Sequence, residues 1–196
     1  AQFIRDVSHD FRTPLSTMYT SLYMLERVGE NPERREHHLA VLQNQITHLE
    51  RLVEGLFTMA RLDATDTLRM GRLNLNEMLN ELTNKIRARS VNQFENIVCE
   101  QALNLPNVMA DGVELHLAIL QIVENAITFT DLHGEIRLQT RTVDDYVEVM
   151  ISDNGAGIDE DDMPHIFDRF YRADKARTQG GLGLGLSIAQ KIIEKH

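Results

Sequence analysis

The sequence predicts two folds in series: an α-helical hairpin that dimerises into a four-helix bundle, then a region that mixes helices and strands. Three observations predict this. Between residues 4 and 25 apolar side chains recur every three or four positions. Residues 39–60 carry a heptad seam. Beyond residue 72 the pattern breaks into short apolar alternations separated by helical runs.

The first helix places Ile4, Val7, Phe11, Leu15, Met18, Leu22 and Leu25 on one face. At roughly 100° per residue, His9 falls about 170° from the centre of that stripe. A lone outward histidine is ordinarily a solvated residue. Here Asp10 adjoins it, Thr13 lies one turn on, and Pro14 removes a backbone donor, which predicts a kink just after His9. An exposed imidazole beside a carboxylate suggests a nucleophile or a proton carrier.

Gly29, Glu30, Asn31 and Pro32 read as a turn with helix stop and start signals on either side. In the second helix Leu39, Leu42, Ile46, Leu49, Val53, Leu56 and Ala60 alternate spacings of three and four, an a/d seam. Two such helices cannot cover both apolar faces alone, so a homodimer closing a four-helix bundle is expected. A plain coiled-coil spacer accounts for the seam equally well, but not for His9 and Asp10 on the outer face.

Residues 63–72 carry no sustained pattern and include Gly71. The expected division is a helical domain over 1–66, a linker over 67–72 and a second domain over 73–196. In that second domain Leu73 to Leu75 reads as extended, and Leu79, Leu82 and Ile86 mark a helix. Segments 97–99 and 108–110 read as strands, and a helix is expected from Gly112 to Phe129. Alternation over 135–142 and 146–151 predicts a hairpin that turns at residues 143–145.

Composition narrows the function. The chain has 196 residues, 42% hydrophobic and 26% charged, enough for packed cores. Its net charge of −10 disfavours nucleic acid or an anionic membrane as the main partner. One cysteine, Cys99, excludes an intrachain disulfide and any cysteine-rich metal site. No apolar run reaches membrane-spanning length. The chain opens and stops in helical pattern, so it is expected to be a piece of a longer protein, C-terminally incomplete.

Three segments of the second domain carry chemistry. On the helix around Asn125, Ile119, Leu120, Ile122, Val123, Ala126 and Ile127 share one side; Gln121, Glu124, Asn125 and Thr128 share the other. A polar face is usually only solvated, but amide oxygens at Gln121 and Asn125, four residues apart, suit a hard cation that keeps most of its waters, such as magnesium. Asp-Asn-Gly-Ala-Gly-Ile at 153–158 follows a strand, and its glycines mark a tight turn or a close ligand approach. Asp153 either caps that turn or accepts from an adenine amino group. Gly-Gly-Leu-Gly-Leu-Gly-Leu at 180–186 runs into a helix and offers backbone N–H groups to phosphate, without the Lys-Ser/Thr of a P-loop. Before it, polar residues with Arg172, Lys175 and Arg177 fit a mobile cationic lid, or an ordinary flexible loop.

Assembled, these segments resemble the catalytic core of the sensor histidine kinases. Ser-His-Asp-Phe-Arg-Thr-Pro-Leu at 8–15 is similar to the phosphoacceptor box, and Gln-Ile-Val-Glu-Asn-Ala-Ile-Thr-Phe-Thr at 121–130 to the asparagine box. Residues 153–158 and 180–186 resemble the two glycine boxes. Ile-Phe-Asp-Arg-Phe-Tyr-Arg at 166–172 resembles the phenylalanine box. Five motifs in the family's order cover nearly the whole chain.

The resemblance implies that 1–66 is the dimerisation and histidine-phosphotransfer domain. It makes the rest an ATP-binding α/β (α+β) two-layer sandwich of the type shared with the gyrase B subunit and MutL. It implies that His9 is the phosphorylated nucleophile, Asp10 its polarising base and Thr13 the residue that positions water in phosphatase action. Asn125, with Gln121, would ligate Mg2+. Asp153 would bind the adenine amino group, Phe129 would pack on the base, and Gly155 and Gly157 would shape that loop. Arg172, Lys175, Gly181, Gly183 and Gly185 would face the phosphates of ATP. The implied activity is autophosphorylation of His9 and transfer of the phosphoryl group to an aspartate of a response regulator. The implied location is the cytoplasmic side of a parent sensor, with an inner-membrane anchor among the forms that parent can take. Gln121 stands where the family usually has asparagine, and Thr128 where a basic residue is common. Those two departures are what a nucleotide-binding dimeric scaffold with weak or no kinase activity would show. A core acting chiefly as a response-regulator phosphatase would instead rely on Asp10 and Thr13.

Overall fold

The computed structural model describes residues 2–27, 29, 31–64, 67–89, 96–173 and 181–196. Two compact units are present, Ala1–Ala60 with Arg169–Leu184, and Arg61–Asp168 with Gly185–His196.

The first unit is built on a helical hairpin. Helix α1 spans Gln2–Leu25 and runs without interruption through Pro14, where a kink was expected. Pro14 offers no N–H to the carbonyl of Asp10. Around it, side-chain hydroxyls bond backward: Thr13 Oγ1 donates to the His9 carbonyl at 3.3 Å and Thr17 Oγ1 to the Thr13 carbonyl at 3.1 Å. The helix closes at Leu25, earlier than the glycine signal implied, because Arg27 N already bonds the Met24 carbonyl in a tightened last turn. Gly29 then adopts φ 61°, a left-handed value that suits glycine.

Helix α2, Pro32–Ala64, starts with Asn31 as its cap, whose Oδ1 accepts from Arg34 N at 3.1 Å, and with proline in the first turn. Of its heptad seam, Leu39, Ile46 and Val53 are exposed and Leu42, Leu49 and Leu56 are half-buried. Phe57 is 73% exposed. The chain by itself therefore leaves this apolar stripe uncovered.

The second unit is a two-layer α/β sandwich. Strand β1 (Gly71–Leu73) pairs antiparallel with β3 (Val108–Ala110). Strand β2 (Ile97–Glu100) runs parallel to the central β4 (Ile136–Val143), which pairs antiparallel with β5 (Tyr146–Asp153). Gly71 and Arg72, expected in a linker, are thus strand residues opposite Ala110 and Met109. The hairpin turn is Asp144 and Asp145 alone, with Asp144 at φ 50°, because Val143 still pairs with Tyr146.

Helix α3, Leu75–Arg89, begins one residue after Asn74, whose Oδ1 accepts from Asn76 N and Glu77 N while its amide donates to Glu77. Its face of Leu75, Met78, Leu79, Leu82 and Ile86 packs with Ile119, Val123 and Ala126 of helix α4, Gly112–Phe129, over Ile97, Ile136 and Leu138 of the sheet. The period of two along β4 sends Ile136, Leu138 and Thr140 inward. Thr140 is buried yet satisfied: its hydroxyl donates to Asn76 Oδ1 and accepts from Ala102 N. Helix α5, Gly185–Lys195, packs along α4. A short 3₁₀ turn, Met163–His165, precedes the aromatic segment.

Candidate functional site

On α1 the histidine stands out from the helix. The His9 side chain is 76% exposed and Asp10 27% exposed. His9 Nδ1 lies 3.5 Å from Asp10 Oδ1. That pairing favours the tautomer with the proton on Nδ1 and leaves the Nε2 lone pair toward solvent. Thr13 sits one turn below, exposed, with its hydroxyl already given to the His9 carbonyl. The three residues expected to act together are therefore adjacent on one stretch of helix.

In the second unit, α4 carries the polar face, the loop after β5 meets its last turn at Phe129, and the first residue of α5 meets Gln121 partway along it. The N-terminus of α4 is capped by Asp111, whose carboxylate accepts from Val113 N, Glu114 N and, across the chain, Arg69 N at 2.8 Å. Burial of Asp111 acts to push its carboxyl up, but the backbone donors Arg69, Glu114 and Val113 outweigh it and hold the group below its ordinary value. Two turns in, Gln121 and Asn125 are half-buried, between the buried Ala118, Ile119 and Val123 and the exposed Glu124 and Thr128. Thr128 turns its hydroxyl back onto the Glu124 carbonyl at 2.7 Å. It thus offers no cation where the family commonly places one.

The loop after β5 is moulded onto the last turn of α4. Ala156 N donates to the Phe129 carbonyl at 3.1 Å, and a Cβ on Gly155 would collide with that same carbonyl. Asp153 accepts from Gly155 N at 3.0 Å through one carboxylate oxygen, so it does cap the turn. Its second oxygen stands at an exposed strand end. Gly157 has φ 70° and no neighbour within 4 Å, so it is required by backbone shape rather than by space. At the first residue of α5, a Cβ on Gly185 would lie 2.8 Å from Gln121 Oε1, so that glycine is required by space. The structure thus brings Phe129, Asp153 and Gly155 together, and Gln121 with Gly185.

The donors present fit a cation of the magnesium type. Asn125 supplies a neutral amide oxygen, and among the described residues no cluster of three or more His, Cys, Asp or Glu competes as a metal cage. Magnesium takes few protein ligands and fills its octahedron with water and phosphate oxygens. The oxygen of Gln121 is turned to the start of α5, which leaves Asn125 as the principal donor.

In the first unit, Phe170, Tyr171 and Gly183 form a further close contact. Phe170 has φ 65°, and its N–H donates to the Gly183 carbonyl at 2.7 Å. Gly183, at φ 66°, would bring a Cβ within 2.7 Å of Tyr171 O. This fastens the glycine segment to the aromatic one. Gly181 is exposed and Arg172 half-buried. Lys175, Arg177 and Gly180, with most of the expected lid, lie outside the described residues.

Sequence reasoning missed a polar junction at the start of α4. Arg61, in the last turn of α2, forks onto the Glu114 carboxylate, with Nη2 to Oε2 at 3.0 Å and Nη1 to Oε1 closer still. Glu114 is buried, and its hydrogen bond raises the Arg61 guanidinium further above its ordinary value. The Asp-Gly pair before an apolar-periodic run was a legible cap signal. Nothing local marks a pairing across 53 positions.

Comparison with known proteins agrees with this geometry. Residues 1–65 match the family model of the His Kinase A (phospho-acceptor) domain, and residues 110–196 match that of the histidine kinase-, DNA gyrase B- and HSP90-like ATPase. The chain is 32% identical over 198 residues to the signal transduction histidine-protein kinase ArlS of Staphylococcus aureus strain USA300, covering 98% of this chain and 43% of that protein. It thus spans less than half the length of that curated relative. Full-length ShkA in complex with AMPPNP is similar over 99% of this chain and 41% of its own, at 26% identity and a TM-score of 0.69. The histidine kinase ThkA, solved in complex with the response regulator TrrA, shares the fold at 22% identity and a TM-score of 0.82, over 99% of this chain and 54% of its own.

Proposed function

The chain belongs to the sensor histidine kinase family, and we propose that it transfers the γ-phosphoryl group of ATP to His9 and then to an aspartate of a response regulator. The observation that carries this reading is His9 on the solvent side of α1 with Nδ1 directed at Asp10. In that arrangement Asp10 holds the Nδ1 proton and raises electron density at Nε2. Nε2 attacks the γ-phosphorus, an N–P bond forms, and the bond to the β-bridging oxygen breaks as ADP leaves. The positive charge left on the imidazole is stabilised by the Asp10 carboxylate, which then takes the Nδ1 proton. The rest of the catalysis is positioning and charge neutralisation.

Asn125 would hold a magnesium ion, with Gln121 one turn away, and that ion would neutralise phosphate charge. Asp153 accepts the adenine amino group through the oxygen that Gly155 does not use, while the Phe129 ring packs on the base. Gly155 and Gly157 keep the loop flat enough for that approach. Arg172, Lys175 and the N–H groups around Gly181, Gly183 and Gly185 contact the phosphates. The uncovered stripe on α2 is the homodimer seam, and closing it makes the four-helix bundle. No helix among the described residues is long and apolar enough to cross a membrane. A parent sensor would place this core on the cytoplasmic side, where ATP and the response regulator are found.

Thr13 supports the reverse activity as well: its exposed hydroxyl lies one turn from His9 and needs only to leave the His9 carbonyl to orient a water. The test is incubation with ATP and magnesium followed by addition of a receiver domain. Label should appear on this chain and move to the receiver. Nucleotide binding with no label on either protein would replace the kinase with a scaffold.

A further inference from the structure

We propose that the last turn of α2, residues 61–64, belongs mechanically to the nucleotide-binding unit and travels with it. The flexing that brings nucleotide to His9 then occurs inside α2, upstream of Arg61, with Gly55 as its weak point. The inference rests on the kinase reading above, since only that reading demands that the two units move.

The chain offers two places for such a hinge. One is the segment after α2, where the absence of apolar pattern and Gly71 point. The other is α2 itself. Described residues of the first are tied to the nucleotide-binding unit. Arg61 forks onto the buried Glu114 at the head of α4. Asp63, two residues on, pairs with Lys191 of α5 at 3.7 Å. Arg69 N is held by the Asp111 carboxylate at 2.8 Å, and Gly71–Leu73 is paired along β3. Swinging about this segment would leave the Glu114 carboxylate buried without its cation, a costly step, and would part Asp63 from Lys191.

The pairs also have a pattern. One turn of helix offers a cation to α4 and an anion to α5, so it is held by two helices at once, with opposite charges. Those helices carry Gln121 and Asn125 on one side and Gly185 on the other. The compact unit itself begins at Arg61, inside an unbroken helix. Upstream, Gly55 is the one glycine of α2. Glycine is the weakest helix former after proline, so a bend costs least there. A Cβ at Gly55 would lie 2.9 Å from Cδ1 of the buried Leu184, a side-chain atom rather than backbone.

The test uses the full chain with Cys99→Ser, Arg61→Cys and Glu114→Cys, the new thiols joined by a cleavable bis-maleimide. The expected result is an intrachain crosslink and His9 labelling within about twofold of the same protein after cleavage. Gly55→Ala in the unlinked chain should slow labelling about threefold or more at unchanged affinity for a fluorescent ATP analogue. Loss of labelling on crosslinking, regained on cleavage, would overturn the proposal by showing that the junction must open. Failure of the crosslink to form would overturn it too, because the pair would not be adjacent in solution. Full-rate labelling by Gly55→Ala would remove Gly55 as the hinge. If the uncrosslinked chain binds nucleotide yet never labels, the kinase reading fails instead.

Discussion

The two glycines of the loop after β5 are needed for different reasons, and substitution separates them. In Gly155→Ala the new methyl would meet the Phe129 carbonyl, whose carbon lies 2.8 Å from the Cβ position. Those atoms are backbone in the last turn of α4 and cannot rotate away. Forced overpacking of this kind costs about 1–3 kcal/mol. Moving the loop to relieve it breaks the bond from Ala156 N to Phe129 O, about 1 kcal/mol more. At about 1.4 kcal/mol per tenfold, nucleotide affinity should fall by roughly 30- to 700-fold. Gly157 has open space around it but φ 70°, so Gly157→Ala costs only the left-handed backbone term, about 1–2 kcal/mol. Gly157→Asn, which tolerates that region, should recover much of the loss. The assay is titration of a fluorescent ATP analogue, with a thermal melt on each variant. Gly155→Ala binding like the parent would refute the collision. An equal loss in Gly157→Ala and Gly157→Asn would refute the backbone argument.

Other outcomes follow from the same geometry. Asp10→Asn should keep nucleotide affinity and slow His9 labelling by about 10²–10⁴-fold, as removal of a general base does. The folded-state pKa of Asp111 is depressed, so its stabilisation is complete above its ordinary value, at pH above about 4, and is lost as pH falls below that. Asp111→Ala should therefore lower stability by about 1 kcal/mol at pH 7 and less at pH 3, read from urea unfolding at both. Ile46→Glu or Phe57→Glu on the exposed α2 stripe should shift the chain toward monomer by light scattering. An unchanged mass would remove the dimer seam.

Much of the fold was legible because it depends on periodicity. The strand at Val108–Ala110 and the helix at Gly112–Phe129 stand where the pattern puts them, since apolar spacing and an Asp-Gly cap are local signals. The boundaries that moved depend on pairing. Gly71 and Arg72 have no strand pattern of their own and become a strand because Ala110 and Met109 lie opposite. Asp153 fell outside the expected strand for the same reason: Ile136 extends the ladder to it. In the candidate site, residue types and order were readable, whereas mutual fit was not. Gln121 against Gly185, and Phe129 against Gly155, are meetings between segments dozens of residues apart. The Arg61 to Glu114 junction was the least legible of all, because a lone arginine near a helix end carries no mark of a buried partner on another helix.

The central claim is that His9 carries the phosphoryl group. Incubation of the chain with γ-labelled ATP and magnesium, followed by acid and alkali treatment, tests it most directly. The account predicts label that is lost in acid, survives base, and is absent from His9→Gln while that variant still binds the nucleotide analogue. Acid-stable label, or label that persists in His9→Gln, would contradict it.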